Sequence, residues 1–186
     1  MKLELNLITK MKLAATLALS LLASPSVHAS PLVEGSEVPQ FSAPNQDGKI
    51  IQLSDFKGSP VLLYFYPKDE TPGCTKQACS LRDEYAQFKK LGAVVLGISR
   101  QDQGSHVAFR KKHKLPFDLL VDADGKIAQK LGVGTMPLIG FHKRQSLVIS
   151  KEGKLLKFIG DVNPDTHTEE VLKILKQAAA SPTSTP

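Results

Sequence analysis

Val61-Leu-Leu-Tyr-Phe-Tyr-Pro-Lys-Asp-Glu-Thr-Pro-Gly-Cys-Thr-Lys-Gln-Ala-Cys79 is the stretch from which the fold is read. Its first six residues are continuously apolar, as in a sheet strand covered on both faces. Pro72 and Gly73 punctuate the loop that follows. From Cys74 to Lys90 apolar residues return at helical period, with Ala78, Leu81, Tyr85 and Phe88 on one face. A buried strand running into a helix sets Cys74 at a helix N-terminus, on the carboxyl edge of the sheet where open α/β folds bind ligands. The unpaired N–H groups and the helix dipole favour a thiolate there, so Cys74 is a candidate nucleophile. Cys79 follows on the same helix. Five residues of helix separate two Cα atoms by roughly 8 to 9 Å and turn them about 140° apart. A disulfide needs about 7 Å or less. A static structural bridge therefore suits an intact helix poorly, and a redox pair that closes by local unwinding suits it better.

Outward from this unit the chain reads as further strands and helices. Phe41-Ser-Ala and Ile50-Ile-Gln-Leu flank Asp47-Gly48 as a β-hairpin, and Ser54 or Asp55 caps a short helical turn ending near Gly58. Residues 93–98 form a second buried strand, and 102–113 a helix anchored by Val107 and Phe109. A third strand spans 117–121, a short helix 126–131, an antiparallel hairpin 147–150 with 155–159, and a closing helix 166–179. Parallel strands first and an antiparallel pair last predict an α/β fold with a central mixed sheet and helices on both faces.

At 186 residues and 41% hydrophobic the chain has material for one compact domain. The expected division is a signal peptide over 1–29, a domain over 30–179 and a polar, disordered tail over 180–186. The leader rests on Lys10 and Lys12, the apolar run Leu13 to Ala23 and the small-residue ending at Ala29. It predicts export, to the periplasm, with no stable membrane insertion after cleavage. Met11 is an alternative start, and an uncleaved anchor is the alternative to cleavage. The formal charge of +6 falls to +4 without residues 1–29, and the remaining lysines are scattered, which argues against a nucleic-acid partner.

The segment Phe65-Tyr-Pro-Lys-Asp-Glu-Thr-Pro-Gly-Cys-Thr75 resembles the active-site signature of the peroxiredoxins, and Cys79 five residues on is similar to the bacterioferritin comigratory protein and peroxiredoxin Q subfamily. The likeness extends to Asp55-Phe-Lys-Gly58, Leu96-Gly-Ile-Ser99 and Leu115-Pro-Phe117. It implies a thioredoxin-like fold and an atypical two-cysteine thiol peroxidase. By this resemblance Cys74 is the peroxidatic cysteine, Cys79 its resolving partner and Thr71 the hydroxyl residue three positions earlier. Pro67 is the proline that shields the pocket, and Arg144 the distant arginine, with Lys143 as the neighbouring alternative. Donors are needed to hold both peroxide oxygens while charge builds on the departing one. The substrates implied are hydrogen peroxide and organic hydroperoxides, the product on Cys74 a sulfenic acid, and the reductant a thioredoxin-like or other dithiol. No cofactor and no metal is implied, and a monomer is expected. Where many relatives have an acid the chain has Gln77, and where many have Asp it has Ser150. Neither position suggests a chemical duty. The loop Gly132-Val-Gly-Thr-Met-Pro137 also departs from the pattern.

Other candidates read blandly. The histidines at 28, 106, 113, 142 and 167 lack ligand spacing and are expected on the surface. Asp122-Ala-Asp-Gly125 echoes a calcium loop, yet Val133 stands where its last ligand belongs, so it reads as a strand-to-helix turn. The competing function is an exported thiol-disulfide oxidoreductase, a class that normally carries Cys-X-X-Cys; a non-enzymatic binding module is the third.

Overall fold

In the computed structural model, residues 32–180 are described. The leader expected over 1–29 and the tail beyond Ala180 lie outside them. Ser42–Pro44 (β1) and Ile50–Gln52 (β2) pair as an antiparallel hairpin, with Gly48 at φ 78° in its turn. A 3₁₀ turn over Leu53–Phe56 follows. Here the expectation shifts by two residues. Asp55 lies inside the turn, and its carboxylate reaches back to accept the Gln52 N–H at 2.9 Å.

Val61–Phe65 (β3) is buried at every position and stands in the middle of a five-stranded sheet. Helix α1, Pro72–Asp83, leads from it, then α2, Tyr85–Lys90. The single helix expected over 74–90 is thus two. Glu84 leaves helical geometry (ψ 8°), and the second piece carries Phe88 wholly into the core. Val94–Ser99 (β4), Gln103–His113 (α3), Asp118–Val121 (β5) and Lys126–Lys130 (α4) complete the parallel half. Gln145–Ile149 (β6), Leu155–Ile159 (β7) and His167–Ala180 (α5) close the chain. The sheet order is β5-β4-β3-β6-β7, with β3 parallel to β4 and antiparallel to β6.

The period of two along β3 divides the core. Leu62, Tyr64 and Tyr66 face α1, α2, α3 and α5, while Val61, Leu63 and Phe65 face the N-terminal hairpin and α4. In α3 only Phe109 of the two expected anchors is inside. Val107 is 43% exposed, and its place is taken by His106. The reason is angular: His106 lies three residues from Phe109 and shares its face, whereas Val107 lies two residues away, about 200° around the helix.

Both sheet edges are covered by the chain's first described residues. Gly35 and Val38 donate backbone N–H groups to the Leu155 and Gly153 carbonyls beside β7, and the Gln46 side chain accepts the Leu119 N–H of β5 at 2.8 Å. Side chains also tie α1 to α5 and the turn before it: Ser80 Oγ meets Thr168 Oγ1 at 2.7 Å, and Lys76 pairs with Asp165 in the turn.

Candidate active site

Cys74 sits in the first turn of α1. Thr71 stands before the helix in extended geometry (φ −76°, ψ 147°), and Pro72, which has no N–H to leave unpaired, opens it. The thiol is 1% exposed. Arg144 Nη2 donates to Cys74 Sγ at 3.3 Å, and Nη1 donates to Gln77 Oε1 at 2.7 Å. Strand pairing explains how residues seventy apart meet. Gln145 opens β6 opposite Phe65, the last residue of antiparallel β3, so Arg144 stands at the edge where the loop into α1 begins. Gly73 leaves the room for it, because a Cβ there would lie 3.1 Å from Nη2. Lys143 turns elsewhere: it is exposed, and its side chain lies against Gly134. Of the two neighbouring cations, Arg144 is the one on the sulfur.

Residues 67–71 are pinned from α3. Asp69 accepts from Tyr66 Oη at 2.8 Å, Ser105 Oγ at 2.7 Å and His106 Nδ1 at 2.8 Å. Burial pushes the Asp69 carboxyl up, but the His106 hydrogen bond and charge, with the Ser105 and Tyr66 hydroxyls, bring it below the usual carboxylate value. Glu70, at φ 62° in the left-handed region, is held by Lys112 and by His113 Nε2 at 3.3 Å. Pro67 is half-buried at the loop's start. The Thr71 hydroxyl donates to the Lys68 carbonyl at 3.0 Å. Its single proton is thereby used, leaving lone pairs for any further partner.

Cys79 is half-buried farther along α1, with Sγ 3.9 Å from His113 Nδ1. Both cysteines are free thiols on one helix.

Two expectations are corrected here. His106, His142 and His167 are wholly buried instead of lying on the surface, because each finds a polar partner inside: Asp69, Asp122 at 3.1 Å, and Gln77 at 3.1 Å. Gln77, read as having no duty, is also wholly buried and bridges Arg144 to His167. Its position three residues after Cys74, on the same helix face, is the signal that was available. His167 offered none, being ninety residues from Gln77 in sequence. Among the described residues no group of three or more His, Cys, Asp or Glu side chains could hold a metal ion, and no helix is long and apolar enough to cross a membrane. Asp122 forms the strand-to-helix turn, accepting the Ile127 and Ala128 N–H groups at 3.0 and 2.9 Å.

Comparison with known proteins bears on this geometry. The AhpC/TSA family model matches residues 35–158. A chloroplastic peroxiredoxin Q from Gentiana triflora is 49% identical over 151 residues, covering 78% of this chain and 67% of the relative. The solved structure of peroxidoxin BcpB from Mycobacterium tuberculosis superposes with TM-score 0.74 at 33% identity, over 81% of this chain and 99% of that one. The bacterioferritin comigratory protein of Xanthomonas campestris, studied for alkyl peroxide reduction, gives 0.70 at 28%, over 75% and 92%. The chloroplastic location in the relatives' names overturns the export to the periplasm expected from the leader-like residues. The fold is thioredoxin-like, and the chain belongs to the AhpC/TSA family as a peroxiredoxin of the bacterioferritin comigratory protein and peroxiredoxin Q subfamily, a thiol peroxidase.

Proposed function

We propose that the chain reduces hydrogen peroxide and organic hydroperoxides in the atypical two-cysteine manner, with Cys74 as peroxidatic nucleophile and Cys79 as resolving residue. The observation that carries this reading is the Arg144 guanidinium 3.3 Å from the buried Cys74 sulfur at the start of α1. A fixed positive charge and a helix N-terminus both favour the thiolate. The thiolate attacks one oxygen of the hydroperoxide, the O–O bond breaks, and the departing oxygen takes a proton and leaves as water or an alcohol. Arg144 and a backbone N–H near Cys74 donate to the oxygens. Thr71, with its proton on the Lys68 carbonyl, accepts the O–H of the hydroperoxide, and Pro67 keeps bulk water from the pocket. Cys79 then attacks the Cys74 sulfenic sulfur, a disulfide forms and water leaves. A thioredoxin-like dithiol reduces that disulfide. Alkyl peroxide reduction by the Xanthomonas protein supports organic hydroperoxides as substrates, and the relatives' names favour a plastid setting. The covered sheet edges support a monomer.

The test is a pair of variants. Cys74→Ser removes peroxide consumption, whereas Cys79→Ser still yields a sulfenic acid, trapped by a dimedone-type probe, but loses dithiol-driven recycling. Full turnover by Cys74→Ser would end the proposal. An insulin-reduction assay of the wild-type chain separates it from a disulfide carrier.

A further inference from the structure

We propose that His167 is a positioning residue: its Nδ1, acting as an acceptor, fixes the Gln77 amide with its carbonyl toward Arg144 and so holds the guanidinium on Cys74. The inference rests on the reading of Cys74 as the nucleophile.

Donor chemistry settles the direction of each bond. A guanidinium can only donate. The atom of Gln77 that meets Arg144 Nη1 at 2.7 Å must therefore be the carbonyl oxygen, which turns the amide NH₂ toward His167. That NH₂ can only donate, so His167 Nδ1, 3.1 Å away, accepts and carries no proton. The ring proton is then on Nε2. Were Nδ1 protonated, the amide would have to turn over and set its NH₂ against the guanidinium. Gln77 and His167 are both 0% exposed, so no bulk water replaces a lost partner. Burial, followed by the nearby Arg144 charge, pushes the ring down to about 4, which keeps it neutral and an acceptor at neutral pH.

The opposite edge of the ring makes no competing bond. His167 Nε2 is buried with no hydrogen-bond partner among the described residues. An unpaired buried N–H costs stability.

The experiment compares wild type, His167→Leu and His167→Asn, each in a Cys79→Ser background so that Cys74 is the single thiol. Leu fills the space without an acceptor. Asn places Oδ1 close to where Nδ1 stands. Three quantities are measured: the rate of Cys74 oxidation by hydrogen peroxide, the pH at which the Cys74 thiolate forms by its ultraviolet absorbance, and thermal stability. Since a hydrogen bond to a charged group is at stake, His167→Leu should oxidise about tenfold more slowly and form its thiolate at higher pH. Thermal stability shows that each variant is folded at the assay temperature, since Leu removes the Nε2–H but leaves the buried Gln77 NH₂ without its acceptor. His167→Asn should recover most of the rate. A folded His167→Leu that oxidises as fast as wild type, or a folded His167→Asn as slow as Leu, overturns the inference. If no form reacts with peroxide while the thiolate titration still shifts in Leu and returns in Asn, His167 keeps its role and the peroxidase reading falls.

Discussion

Cys74 has almost no surface, so its reactivity depends on what the neighbouring side chains offer it. Arg144 is the charged group in contact with its sulfur, at 3.3 Å. Removing one transition-state donor usually costs about 10² or more in rate, so Arg144→Ala should slow Cys74 oxidation by that factor in stopped-flow measurements. Lys143→Ala should be silent, and the reverse pattern would show the wrong cation had been chosen. Sequence alone led to Cys74, Cys79, Thr71, Pro67 and Arg144 through a family resemblance, because their motif or strand context is contiguous. Gln77 and His167 stayed hidden for a physical reason. An amide and an imidazole become partners only once α5 is laid beside α1, and nothing local to either residue announces that packing.

On the proposed mechanism α1 is the element on which the two cysteines have to meet. Both lie within Pro72–Asp83, too far apart for a sulfur–sulfur bond while the helix stands. Oxidation should therefore melt its first turns. Hydrogen exchange followed peptide by peptide should show residues 74–82 losing protection on going from dithiol to disulfide, and recovering on reduction. The strand β3, buried at all five positions, should stay protected in both states. A disulfide formed with protection unchanged around 74–82 would sink this account of resolution. Element order, the mixed sheet and most boundaries were legible from hydrophobic period and turn residues. The break at Glu84 was not, because Tyr85 and Phe88 continue the helical spacing of Ala78 and Leu81 without a Gly or Pro to mark the stop. Nor was the burial of His106 over Val107, since an apolar residue is the better guess until the helix phase is known.

At the scale of the whole molecule, the buried ionisable groups make stability depend on acid. His167 is lowered to about 4 from the ordinary 6.5, so between these values the unfolded chain holds a proton that the folded chain does not. The contribution of His167 should be full above about pH 6.5 and be lost on acidification toward pH 4, with a slope of up to about 1.4 kcal/mol per pH unit and a total on the order of 3 kcal/mol. Asp69 and Asp122 are raised by burial but more strongly lowered by their partners, His106 and His142 first, so each adds a further loss below the ordinary aspartate value. Urea denaturation at pH 7 and pH 5 checks the sign, and His167→Leu should flatten the difference.

The clasp between Ser80 and Thr168 carries a consequence in time. On the proposed mechanism a sulfenic acid on Cys74 would wait for Cys79 until α1 opens, and during that wait a second hydroperoxide would oxidise it to sulfinic acid, beyond the reach of a dithiol. The 2.7 Å hydroxyl pair ties the helix to α5 and so should lengthen the wait. Thr168→Val, which keeps the shape and removes the hydroxyl, should shorten it, and mass spectrometry should then find less sulfinic acid at a given peroxide dose. Two side-chain oxygens would thus set a clock: how much oxidant the protein survives would depend on how quickly one helix lets go of another.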